Sequence, residues 1–315
     1  MHFIKDLKEG ENVSEIYLCK QKQALKTKAG KSYYSLILQD QSGTVDAKIW
    51  ELNPGIGHFE PLDFIKIEGN VTSFQGALQL NIRRVRKAQE MEYNAADYMP
   101  VSRYNIEDMY KELLDYVKKV SEPHLRALLE MFFVQDKEFI ISFKSHYAAK
   151  SVHHGFVGGL LEHTLSVTKL CDFYTTRYPL LNKDLLLTSA MCHDIGKTQE
   201  LSLFPENDYT DDGQLIGHIV IGVEMIHDKI REIPGFPKVL ENELKHCIVA
   251  HHGELEYGSP KKPALMEAMA LNLADNTDAK METMTELFDA APDNLEWMGF
   301  NRFMDSNIRK TSKSK

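Results

Sequence analysis

Hydrophobic positions recur at every second residue in the first quarter of the chain and at every third or fourth residue through most of the remainder. Between residues 13 and 87, the runs Ile16-Tyr17-Leu18, Tyr33 to Leu38, Val45 to Trp50, Phe64 to Gly69 and Leu78 to Ile82 are rich in β-branched and aromatic side chains and bounded by turn formers. These runs predict five short strands, with Asp40-Gln41-Ser42-Gly43 as the hairpin turn between the second and third. From Gln89 to about Pro100 the alternation breaks, and Tyr98-Met99-Pro100-Val101-Ser102 reads as a linker ending at a helix start. Beyond it, Met109, Leu113, Leu114, Val117 and Val120 form one helical stripe, and Leu125, Leu128, Leu129, Phe132 and Phe133 form another.

Five strands within so short a stretch fit a closed barrel of the OB type, a fold whose open face takes single-stranded nucleic acid or oligosaccharide. The expected fold is therefore multidomain, an N-terminal OB-fold β-barrel followed by an all-α domain. The expected boundaries are a barrel over 1–90, a linker and connecting helix over 91–125, the all-α domain over 126–300 and a basic, frayed C-terminal tail over 301–315. Aromatic side chains interleaved with basic ones would give the barrel its ligand. Tyr33, Lys31, Lys48, Phe74 and Arg84 are the expected strand contacts, while alternation assigns Tyr34 and Trp50 to the core.

Charge sharpens this division. The chain of 315 residues has a formal net charge of −9, which argues against a protein that coats nucleic acid over its whole surface. Residues 1–90 carry 13 Lys and Arg against 11 Asp and Glu, whereas the remaining residues carry 24 against 35. A neutral-to-basic barrel suits a phosphate backbone and an acidic body suits a cation. The four cysteines, Cys19, Cys171, Cys192 and Cys247, have no Cys-x-x-Cys spacing, so neither a disulfide framework nor a thiolate zinc site is expected. The N-terminus lacks the apolar stretch of a secretory signal and no run reaches about eighteen apolar residues, so the expected location is cytoplasmic, with no membrane partner.

The candidate chemistry lies in the helical part. Of 13 histidines, ten fall between His146 and His252. His193-Asp194 closes a predicted helix through Leu185 to Met191. His163 lies early in a predicted helix from Gly158 to about Tyr178, and Asp275 lies inside the apolar stretch Met269 to Asp275. A carboxylate set between apolar turns is costly unless paired, which argues for a cation held by His163, His193, Asp194 and Asp275. His218, His251 and His252 would then be idle unless Asp194 bridges to a second ion ~3.5–4 Å away. Neighbouring histidines on a helix point about 100° apart, so both can face one site only at a helix end, which Gly253 offers. A mixed imidazole and carboxylate set favours Mn²⁺, Fe²⁺, Co²⁺ or Zn²⁺ over Ca²⁺ or Mg²⁺.

These residues carry a resemblance. His163, His193-Asp194 and Asp275 resemble the ligand set of the HD-domain metal-dependent phosphohydrolases. Ser151-Val152-His153-His154, Gly158 to Thr164, His193-Asp194-Ile195-Gly196-Lys197 and His251-His252-Gly253-Glu254 are similar to the YhaM-type 3′→5′ exoribonucleases. The resemblance implies an all-α HD domain, with Lys197 near substrate phosphate. It also implies a preference for Mn²⁺ among the divalent metals, Mg²⁺ included, a homo-oligomer, and trimming of single-stranded RNA or DNA from the 3′ end. The extra His218, His251 and His252 match the His-rich HD branch that holds two ions. In place of the Gly-Tyr-Pro of cyclic-dinucleotide-cleaving relatives, this chain has Tyr257-Gly258-Ser259-Pro260.

The expected reaction is hydrolysis by metal-activated water, releasing 5′-mononucleotides, with Asp194 and Lys197 in the machinery. His154, beside His153, is expected as a phosphate contact, a proton donor to the leaving oxygen or a structural residue. Two alternatives stay open: a strand-binding protein with an HD nucleotide sensor, and an HD phosphohydrolase of free or cyclic nucleotides.

Overall fold

The structure, a computed structural model, describes residues 2–27, 29–74, 77–99, 101–149, 155–291 and 295–312. It divides into two compact units, residues 1–101 with 204–206, and residues 102–203 with 207–315.

In the first unit, β1 (Asn12–Lys26), β2 (Ser32–Asp40), β3 (Gly43–Ile49), β4 (Phe64–Phe74) and β5 (Ala77–Lys87) close into a barrel in the order β1-β2-β3-β5-β4. All neighbours are antiparallel except β3 and β5, the OB arrangement. β1 serves both halves. Asn12 to Leu18 pairs with β4, Leu18 to Lys26 pairs with β2, and a bulge between Cys19 and Gln21 turns the strand between them. The expected turn joins β2 to β3. Asp40 accepts hydrogen bonds from the Ser42 amide at 2.7 Å and the Ser42 hydroxyl at 2.6 Å. Inward-facing Tyr17, Leu36, Leu38, Ala47, Ile49, Ile65, Ile67, Val71 and Leu80 fill the core.

The second unit is helical. Its elements are α1 (Ile106–Lys119), α2 (Pro123–Glu130) continued by a π turn over Met131–Gln135, α3 (Lys137–Ser145), α4 (Gly159–Arg177), α5 (Lys183–Cys192), α6 (Lys197–Glu200), α7 (Asp211–Leu215), α8 (His218–Glu232), α9 (Lys238–Val249) and α10 (Met266–Ala290). Side-chain caps set several starts. Asn105 accepts from the Asp108 amide, Asp136 from Phe139 and Asn182 from Leu185, so each satisfies an amide the helix itself leaves unpaired. α5 and the first half of α4 are buried on nearly all sides and pack on α10, while Met109, Leu113 and Val117 of α1 join the same core. The helix expected only as a connector is thus a wall of the helical unit. The unit also ends differently from the frayed tail expected over 301–315. β6 (Trp297–Asn301) and β7 (Ser306–Arg309) form a hairpin, because Trp297, Phe300 and Ile308 supply strand formers that the basic composition masks.

Candidate metal centre

Five helices converge on Asp194. It follows α5 directly, His163 lies on α4, His218 is the first residue of α8, and Asp275 is in α10. α9 ends at Val249, so His251 and His252 sit in the turn beyond it, where Gly253 takes φ +79°. That departure from helical geometry brings the two rings to 4.3 Å between centroids. Gly196 is required by close approach. A Cβ there would meet the His218 carbonyl at 2.0 Å and the Gly222 amide nitrogen at 2.7 Å, so any side chain would push α8, and His218 with it, off the site.

The two carboxylate oxygens of Asp194 face different partners. Oδ2 lies 3.5 Å from His163 Nε2, 3.4 Å from His193 Nε2 and 2.6 Å from Lys197 Nζ. Oδ1 lies 3.5 Å from His218 Nε2 and 3.7 Å from His251 Nε2. On the Oδ2 side, Asp275 Oδ1 stands 3.2 Å from His163 Nε2 and 4.0 Å from His193 Nε2. Two trios result, His163 with His193 and Asp275, and His218 with His251 and His252, the ligand atoms within each lying within 4.8 Å of one another. Donors bound to one ion at ~2.1 Å stand roughly 3–3.5 Å apart, so the spacing suits coordination.

Ring orientation adds an independent test. His163 Nδ1 meets Asp278 Oδ2 at 2.7 Å, His193 Nδ1 the Ala190 carbonyl at 2.8 Å, and His218 Nδ1 Glu200 Oε1 at 2.9 Å. His251 Nδ1 meets the Ile248 carbonyl at 2.6 Å and His252 Nδ1 the Tyr257 carbonyl at 2.8 Å. Every one of these acceptors is an oxygen, so each ring donates from Nδ1 and turns its Nε2 toward the centre, the orientation a metal ligand needs. Asp194 Oδ1, His218 Nε2 and His251 Nε2 are buried with no hydrogen-bond partner among the described residues. Orphaned buried acceptors are costly, and a divalent cation satisfies them together. The residues fit the group.

Electrostatics agree. Burial pushes the Asp194 carboxyl up, but Lys197 and His193 reverse this and hold it well below the usual range. Burial drives His251 well down, helped by His252 and His193, and burial with His218 lowers His252, so both rings are neutral near pH 7. Burial opposes the charged form of His163, yet Asp275 and Asp278 raise it to about 10. Without metal, His163 therefore holds a proton that a cation must displace. Burial alone would lower the Lys197 ammonium, and Asp194 more than compensates.

Asp278 and Glu200 were not among the residues singled out from the sequence. Asp278 lies one turn beyond Asp275 on α10 and Glu200 one turn beyond Lys197 on α6, a local signal that helical spacing alone does offer. His153 and His154 lie outside the described residues.

In the barrel, Tyr33 of β2 stacks on Trp50, with centroids 4.7 Å apart and planes at 27°. Trp50 is 43% exposed rather than in the core, because it stands just past the end of β3 with its Nε1 donating to Asn81 of β5 at 3.1 Å. Lys48 donates to Ser35 on the same outer face. Tyr34 is half-buried against Phe59. Lys31 pairs with Glu51 and Arg84 with Glu68, while Phe74 is exposed at the end of β4. Lys31, Lys48, Tyr33 and Trp50 thus share one region of the barrel, whereas Arg84 lies on the β4–β5 side against Glu68.

Residues 160–280 match the HD-domain family. The fold and the site together define a hydrolase of the HD class preceded by an OB-type barrel. A relative from Geobacillus sp. (strain WCH70), the 3′-5′ exoribonuclease YhaM, is 34% identical over 274 residues, covering 86% of this chain and 83% of its own. The chain belongs to the YhaM family. Among solved structures, the second OB-fold domain of replication protein A from Methanococcus maripaludis is 16% identical, covering 28% of this chain and 93% of its own, with a TM-score of 0.23. A replication protein A heterotrimer bound to single-stranded DNA is 11% identical over 25% of this chain and 58% of its own, with a TM-score of 0.21. No helix of the described residues is long and apolar enough to cross a membrane.

Proposed function

We propose that this protein is a metal-dependent 3′→5′ exoribonuclease that also acts on single-stranded DNA and releases 5′-mononucleotides. The observation that carries the reading is the placement of Asp194, with one carboxylate oxygen toward each of two histidine-rich trios. His163, His193, Asp194 and Asp275 would hold one divalent ion, and Asp194, His218, His251 and His252 a second, Mn²⁺ being preferred. Such a pair supplies Lewis acidity, a water acidified toward neutrality and positive charge opposite the reacting phosphate.

The protein's own groups prepare the rest. Asp278, Glu200 and three backbone carbonyls fix the imidazoles in one tautomer, so no reorganisation is needed when substrate arrives. Lys197 stays protonated beside Asp194 and offers its ammonium to a non-bridging phosphate oxygen. His154 is the proposed proton donor to the leaving oxygen. The stacked Tyr33 and Trp50, with Lys48, Lys31, Phe74 and Arg84, hold single-stranded RNA through base stacking and backbone charge, a mode tolerant of sequence. The reading also includes a homo-oligomer in the cytoplasm, where the four free, buried cysteines remain reduced.

The test is incubation of the purified protein with Mn²⁺ and an oligoribonucleotide labelled at its 5′ or its 3′ end. Immediate release of labelled mononucleotide from the 3′ label, with stepwise shortening of the 5′-labelled strand, supports the proposal. Binding without cleavage refutes it, as does hydrolysis confined to free nucleotides. Asp194→Ala is expected to lower turnover by roughly 10³-fold or more while leaving strand affinity within about threefold.

A further inference from the structure

The C-terminal hairpin has two unlike faces. In the register of β6 on β7, Trp297 pairs with Arg309, Gly299 with Ile308, and Phe300 with Asn307, with a bulge between Trp297 and Gly299. Paired residues share a face and successive ones alternate, so Ile308 and Gly299 face one way. Trp297, Phe300, Asn307 and Arg309 face the other, the bulge restoring Trp297 to the side of Phe300. Ile308 is 7% exposed, whereas Trp297 is 58% and Phe300 61% exposed. The apolar side is therefore turned inward and the aromatic side outward. A two-stranded hairpin is marginal on its own, and large aromatic side chains left in water mark a surface built for a partner.

Charge identifies that partner. The Arg309 guanidinium lies 5.7 Å from the Trp297 ring centroid and pairs with Glu296. Arg302, in the turn, and Lys310, just past β7, have no acidic partner among the described residues. Residues 295–315 carry five Lys and Arg against two Asp and Glu, while residues 102–294 carry 19 against 31. A basic, aromatic appendage thus stands on an acidic unit. Two rings on one strand face, about 7 Å apart along the strand, with cations beside them, suit successive bases stacking above a polyanionic backbone.

We propose that the outer face of this hairpin, Trp297 and Phe300 with Arg309 and the turn residue Arg302, is a second single-strand-binding surface, separate from the barrel. It extends the reading that the substrate is a single strand. None of its residues belongs to the metal centre, so its contribution is to affinity for longer strands and not to turnover of short ones.

Trp50 and Trp297 are the two tryptophans of the chain, so full-length Trp50→Phe reports on Trp297 alone. In metal-free buffer, adding a uridine oligomer of about 15 nucleotides should quench its emission to saturation. Full-length Trp297→Ala/Phe300→Ala should bind the same oligomer roughly tenfold more weakly, with unchanged hydrolysis of a dinucleotide and an unchanged sedimentation coefficient. Emission that does not move at saturating strand, or an unchanged affinity in the double variant, overturns the proposal. A smaller sedimenting species in the double variant assigns the face to contact between copies and also overturns it. If Trp50→Phe binds strand and quenches while the wild-type chain does not cleave, the nuclease reading fails and the hairpin proposal stands. If it binds no strand at all, both fall.

Discussion

The barrel and the helical unit handle polar chemistry in opposite ways. The barrel keeps an almost wholly apolar interior and places Tyr33, Trp50 and Lys48 on its outside, where hydration costs nothing and a ligand meets preformed rings. The helical unit buries its chemistry. His163, His193, Asp194 and His251 are each at most 2% exposed. A recognition face needs only surface, so it is loosely coupled to the fold. A centre of buried charges must have every partner in place, so it is tightly coupled to the fold. Substitutions should therefore separate binding from stability in the barrel and fail to separate them in the helical unit.

The largest effect that would break this contrast is expected at Gly196. Gly196→Ala drives a methyl group into the backbone of α8, and should cost about 2–4 kcal/mol of stability while displacing His218. Thermal unfolding together with metal content of the purified protein checks it, and a stable, fully loaded variant would show that the centre tolerates movement of α8. Next comes Asp278→Asn, which keeps the shape but weakens the acceptor for His163 Nδ1. Metal affinity measured by calorimetry should fall about 10–100-fold, with Asp278→Glu recovering part of the loss.

On the barrel side, Trp50→Ala should weaken strand binding by ~1–3 kcal/mol in fluorescence anisotropy, and leave the unfolding midpoint nearly unchanged. A large stability loss there would erase the distinction between the two units. The smallest effect is at Glu241, held down to about 2 by Lys245 first and then Lys238 and His227, against the opposing effect of burial. A carboxylate whose folded pKa is depressed stabilises the fold above its unfolded pKa, near 4.5, and that stability is lost as pH falls toward 2. Glu241→Gln should therefore cost up to ~1 kcal/mol at pH 7 and flatten the acid limb of the stability curve between pH 4.5 and 2.

The same contrast explains what could be read from the chain. Five short runs rich in β-branched and aromatic residues, separated by turn formers, gave the barrel away, and the His-Asp pair flanked by distant histidines pointed to a cation site before any contact was known. Trp50 was not placed by that reasoning, since Val45, Ala47 and Ile49 point inward and the phase of β3 therefore turns Trp50 outward with Lys48. Asp278 and Glu200 stayed hidden because a carboxylate on a helix looks solvated until its long-range imidazole partner is seen. The hairpin was obscured by its basic residues, which resemble a solvated tail unless the pairing of Trp297 with Arg309 is known.

His193 and His251 each hydrogen-bond to a carbonyl three residues back, at Ala190 and Ile248, in the closing turns of their own helices. Helix ends are where a native protein opens most readily, so the aim of these two imidazoles depends on the least durable part of the elements that carry them. Loss of activity on warming should then begin as unwinding of these two termini, reported by faster amide exchange at Cys192 and His251, well before the cooperative melting of the domain.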